Sequence, residues 1–129
     1  MGILSVPRER IVFNIFNGTF LSMIDDYQEA MKLVDAMKNC LPIPVYPAKS
    51  FVQYLKQENI KIKSDQRLEI TDVLYMEDLG GITCSLKLPF KTEKEYLISI
   101  THLVPMANHP LRKDIRTYQI NRVNNLAKQ

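Results

Sequence analysis

RLEITDVLYMEDLGGITCSLKLPFKTEKEYLISITHLV, residues 67–104, decides the fold class. Within it Ile82, Cys84, Leu86 and Leu88 alternate with Thr83, Ser85 and Lys87, the period of two that marks a half-buried strand. Tyr96, Ile98, Ile100 and His102 alternate in the same way with Leu97, Ser99, Thr101 and Leu103. Upstream, Leu68, Ile70, Leu74 and Met76 share one parity, which Asp72 interrupts. A bulge that hands the buried parity to Val73 and Tyr75 would release Asp72 to solvent. The connections at 77–81 and 91–95 are short, and short connections join antiparallel neighbours. The stretch therefore predicts an antiparallel meander of three or four strands.

Helical patterns flank it. Ile24, Tyr27, Met31 and Val34 recur at steps of three and four among charged residues, which predicts a helix over 19–39. The segment before it is ambiguous. Asn17-Gly18 between two apolar runs is a hairpin signal, so residues 10–18 read equally as strand or helix. LPIPVYP, residues 41–47, is held extended by its three prolines. Pro47 suits the first turn of a second helix with Ala48, Phe51, Val52 and Leu55 on its apolar face. A last helix starts after Pro110, with Leu111, Ile115, Tyr118, Val123 and Leu126 on one side and Ile120 opposite. The expected architecture is α+β, one domain over residues 1–129. Helices from the N-terminal half and from the C-terminus pack on one face of the meander.

Composition narrows the function classes. The chain is 46% hydrophobic with no run near the ~20 apolar residues of a membrane helix. MGILSVPRERIVF is broken by charge and Pro7 before any adequate apolar stretch, so no secretory leader is expected and a cytoplasmic location follows. The two cysteines, Cys40 and Cys84, then read as reduced thiols, and the Asn17-Gly18-Thr19 sequon carries no glycan. Two cysteines and two histidines match no zinc-finger spacing, and no metal or cofactor is expected. Four glycines, Gly2, Gly18, Gly80 and Gly81, provide neither a dinucleotide fingerprint nor a phosphate loop.

Two constellations carry chemistry. Cys84, His102 and Asp72 all fall on the apolar parity of their strands. Pairing Leu74 with Cys84 and Cys84 with His102 would make thiol and imidazole cross-strand neighbours, the elements of a thiol enzyme. The second is THLVPMANHPLRKDIRTY, residues 101–118. Asn108 or His109 is a candidate N-cap, and Arg112, Lys113 and Arg116 occupy the first two turns of the last helix, Arg112 and Arg116 sharing a face while Lys113 points elsewhere. Cations there oppose the helix dipole. Free N–H groups, guanidinium groups and His109 together suit an anion or a partner's carboxylate. The net charge of +3 is too small to imply a polyanion. It is nevertheless concentrated, since residues 111–129 hold five basic residues against one acid, Asp114. The sequence thus points to a non-enzymatic protein-interaction or anion-binding module using His109, Arg112, Lys113 and Arg116. A small thiol enzyme and a weak nucleic-acid binder using the final helix are the alternatives.

Overall fold

A computed structural model describes residues 10–13, 25–90 and 95–128. The meander forms as β3 (Leu68–Tyr75), β4 (Ile82–Lys87) and β5 (Glu95–Ser99), with antiparallel pairing throughout. It is the middle of a larger sheet. Strand β2 (Ile43–Pro47) pairs antiparallel with β3, and β6 (Leu103–Pro105) pairs antiparallel with β2. Strand β1 (Arg10–Phe13) adds a parallel edge beside β5, giving the order β1-β5-β4-β3-β2-β6. The expectation of three or four strands is therefore corrected to six among the described residues, five of them mutually antiparallel. The ambiguity over residues 10–18 resolves to strand for 10–13; the rest of that stretch lies outside the described residues.

Two local events explain most of the difference. At Thr71 the β3–β4 register shifts, so that Ile70 faces Leu86 but Asp72 faces Ser85 and Val73 faces Cys84. This is the bulge that frees Asp72: it is exposed, while Val73 is fully buried. After Ser99 the chain leaves β5. The Ser99 hydroxyl accepts a hydrogen bond from the Thr101 N–H at 3.3 Å, and Ile100–His102 form a 3-10 turn. A polar side chain offering the backbone an alternative to the ladder ends the strand there. The turn carries Leu103 across to the other edge of the sheet. The pattern over 96–103 was thus two strands read as one.

The prolines of 43–47 did not prevent pairing. Proline lacks only the N–H, and Pro44 and Pro47 lie in a short strand beside the three-residue β6. Pro47 ends β2 rather than opening a helix; α2 (Lys49–Gln57) follows with Ala48 as its N-cap. Helix α1 spans Tyr27–Lys38. It begins later than expected because Asp26 caps it, its Oδ1 accepting from the Glu29 N–H at 3.0 Å. Helix α3 spans Arg112–Ala127. Ala30, Leu33, Val34 and Met37 of α1, Phe51 and Leu55 of α2 and Ile115 of α3 share one core with Val73, Cys84, Ile98 and Ile100 of the sheet and its turn. Complete burial of one such side chain contributes roughly 1.5–3 kcal/mol, so this common core is what fixes the helices on the sheet.

Candidate functional site on the exposed face of α3

At about 100° per residue, α3 divides into three faces. The first is buried. Ile115, Gln119 and Arg122 are each less than 5% exposed, and Leu111 and Tyr118 pack against the core. Polar contacts fix its rotation. The Gln119 carboxamide donates to the Ile100 and Leu103 carbonyls, both at 2.7 Å. Asp25, just before α1, gathers three donors on one carboxylate oxygen: Tyr118 Oη at 2.6 Å, Arg122 Nη1 at 2.9 Å and Tyr75 Oη at 3.0 Å. Arg122 also donates to the Asp78 carbonyl, and the Tyr118 oxygen accepts from the Ile82 N–H. Burial, then the Asp25 charge, raises both tyrosine hydroxyls above their ordinary range, so both remain protonated donors.

The second face borders a cleft of about 590 Å³ between α1 and α3. Asp114, Asn121 and Asn125 line it from α3, and Asp26, Glu29 and Lys32 from the α1 side. Its walls mix both charge signs, and the buried Asp25 and Arg122 at its floor satisfy each other.

The third face is outward. Arg112, Lys113, Arg116, Ile120, Val123 and Ala127 are all exposed and fall within an arc of about 100°. Ile120 and Val123 are half exposed, at 49% and 50%. Among the described residues no carboxylate pairs with Arg112, Lys113 or Arg116. Arg116 instead donates to the Gln119 side-chain oxygen at 2.6 Å. Asp114, the lone acid of the helix, points into the cleft. The result is a cationic first half and an apolar second half on one face.

The sequence reading puts Arg112, Lys113 and Arg116 in the first turns of this helix, where they lie, but separates Lys113 from the face that the arginines share, and it errs over two neighbours. Val123 was assigned to the buried side, but that position belongs to the outward face, and Arg122 takes the buried one. The N-cap is Leu111 rather than Asn108 or His109. His109 instead holds the turn that leads into α3: its Nδ1 accepts from the Leu111 N–H at 3.0 Å and its carbonyl accepts from the Arg112 N–H. That contact commits Nδ1 to the backbone as an acceptor, which puts the ring proton on Nε2 and leaves Nε2–H as the donor beside Arg112.

The thiol constellation is not assembled. Cys84 faces Val73 and Ile98, not Leu74 and His102. His102 lies in the 3-10 turn, its Nδ1 2.7 Å from Ser50 Oγ. Asp72 is on the exposed parity, and its Oδ1 accepts from the Val73 N–H. Burial, with the Asp72 charge second, raises the Cys84 thiol well above the range of a reactive cysteine. Iodoacetamide should accordingly label exposed Cys40 in the native protein and reach Cys84 only on denaturation. Rapid native labelling of Cys84 would contradict this placement.

His102 has a second consequence. Burial lowers its pKa from 6.5 to about 4. The folded state therefore favours neutral imidazole, and its contribution is complete above the unfolded pKa. Stability should fall as the pH drops from about 6.5 through 4. Comparing melting temperature with pH for wild type and His102→Gln isolates this part of the slope, since carboxylates act in both. Equal slopes would remove the assignment.

Among the described residues, no cluster of three or more His, Cys, Asp or Glu is placed to hold a metal ion, and no helix is long and apolar enough to cross a membrane. No known protein family, curated protein or solved structure matches the chain.

Proposed function

We propose that this protein is a protein-interaction module, and that the outward face of α3 receives an acidic amphipathic segment of its partner. The observation that carries this reading is the union, on one exposed face, of three cations with no carboxylate partner among the described residues and two half-exposed β-branched side chains. Cations in the first turns of a helix oppose its dipole, at a cost of about 0.3–1 kcal/mol each at low ionic strength. A partner's carboxylates would offset that cost, and its apolar residues would cover Ile120 and Val123. Complementary charge would set the orientation and speed of encounter, and the apolar pair would slow dissociation.

A nucleic acid would use the cations but gain little from Ile120 and Val123. Tyr118 is the one aromatic in the sequence of α3, and it is committed to Asp25. The acidic protein segment therefore accounts for more of the face.

The test is a titration with a helical peptide carrying leucines at i, i+3 and i+7 flanked by glutamates, against a scrambled peptide of the same composition. Binding should favour the ordered peptide and weaken with salt. It should fall at least tenfold in the double variant Arg112→Glu, Arg116→Glu, and separately in Ile120→Ser, Val123→Ser. Equal binding of the scrambled peptide, or of the wild type and both variants, would overturn the reading. So would preference for a DNA or RNA oligonucleotide, whose affinity falls steeply with salt.

A further inference from the structure

The registry between β2 and β6 brings together two side chains 52 residues apart. Tyr46 pairs with Val104 and Pro47 with Leu103, and one step further the Ala48 N–H donates to the His102 carbonyl at 2.9 Å. This backbone bond fixes the start of α2 against the 3-10 turn. It places Ser50 Oγ 2.7 Å from His102 Nδ1. Ser50 is an exposed residue and His102 is only 7% exposed, so a surface serine is hydrogen-bonded to a buried ring.

From this geometry we infer that Ser50 is a nucleophile, with His102 as its general base, toward small carboxylic esters or thioesters. A serine hydroxyl is a poor nucleophile alone and needs a base within hydrogen-bond reach. In the tautomer with its proton on Nε2, His102 presents the Nδ1 lone pair to the hydroxyl. Burial lowers the His102 pKa to about 4, so the imidazole is neutral near pH 7 but a weak base, and its role rests on the Ser50–His102 geometry. Ser50 is the second residue of α2, so negative charge developing beside it lies near the positive end of the helix.

The steps balance without another reagent. Ser50 Oγ bonds to the acyl carbon while its proton passes to Nδ1. The tetrahedral oxyanion collapses, and the departing alcohol or thiol takes the proton from Nδ1. Water then adds to the acyl-serine and gives its proton to Nδ1. Ser50 leaves and recovers that proton, and the net products are a carboxylic acid and an alcohol or thiol. This chemistry is independent of α3 and its docking face.

The test treats the native full chain with a fluorophosphonate probe and reads intact mass and the modified peptide. The expected result is a single adduct on Ser50, formed at least tenfold faster than on heat-unfolded chain. It should be absent from Ser50→Ala, an exposed substitution that leaves the fold intact, and strongly slowed in His102→Gln. p-Nitrophenyl acetate should likewise yield an acetyl group on Ser50 in wild type only. No adduct, an adduct that persists in Ser50→Ala, or labelling equal in native and unfolded chain would each reduce Ser50 to a hydrogen-bond partner of a buried histidine.

Discussion

Asp25→Ala is expected to destabilise the protein by about 3–5 kcal/mol, because it leaves Arg122 charged and buried with no counterion. Both side chains of the pair are 3% exposed and 2.9 Å apart. The loss would reach beyond the ion pair, since Tyr75 and Tyr118 donate to the same oxygen and would lose their acceptor. Breaking such a pair from one side differs from replacing it whole. Arg122→Met in the Asp25→Ala background should therefore recover part of the loss, as a buried ion pair and an apolar pair of similar volume are often close in stability. Denaturant unfolding of the four proteins of this cycle gives the coupling directly. Additive single effects would mean that the two groups do not depend on each other.

Gly81→Ala should cost about 2–5 kcal/mol, combining backbone strain with overpacking. Its φ of +63° lies in the left-handed region that disfavours side chains. A Cβ there would overlap the Tyr118 hydroxyl and stand 2.9 Å from both Arg122 Nη1 and Asp25 Oδ2. The turn therefore depends on glycine for two separate reasons, and they can be separated. Tyr118→Phe removes the overlapping oxygen, so Gly81→Ala should be less costly in that background while the strain remains. An equal cost in both backgrounds would show that the backbone alone sets the requirement.

These two predictions concern a cluster that the sequence announced only faintly. Arg122 is four residues after Tyr118 and seven after Ile115, on the stripe that carries the core. A cation at a buried helical position demands a partner. The apolar reading of Val123 hid that signal. Asp25 gave no comparable sign: it stands beside the capping Asp26, and only the fold brings it to a helix almost a hundred residues away. The meander was legible because β3, β4 and β5 are consecutive and their alternation survives one bulge. Strands β2 and β6 were not, because one carries two prolines, the other is three residues long, and their pairing is nonlocal. The same gap hid the approach of Ser50 to His102. The cations of α3 needed no tertiary knowledge to find, and their shared face with Ile120 and Val123 follows from the helical period but was hidden by assigning Val123 to the buried side.

With its buried face clamped by Arg122, Tyr118 and Gln119, α3 is proposed to meet an acidic amphipathic partner through its cationic and apolar outward face. Backbone amide chemical shifts of the labelled protein, followed while the ordered acidic peptide is added, test this most directly. Perturbations should concentrate at residues 112–127, with the greatest changes near Arg112, Arg116, Ile120 and Val123. The amides of α1 that border the cleft should stay nearly unchanged. Perturbations centred on 26–36, or none at saturating peptide, would contradict it.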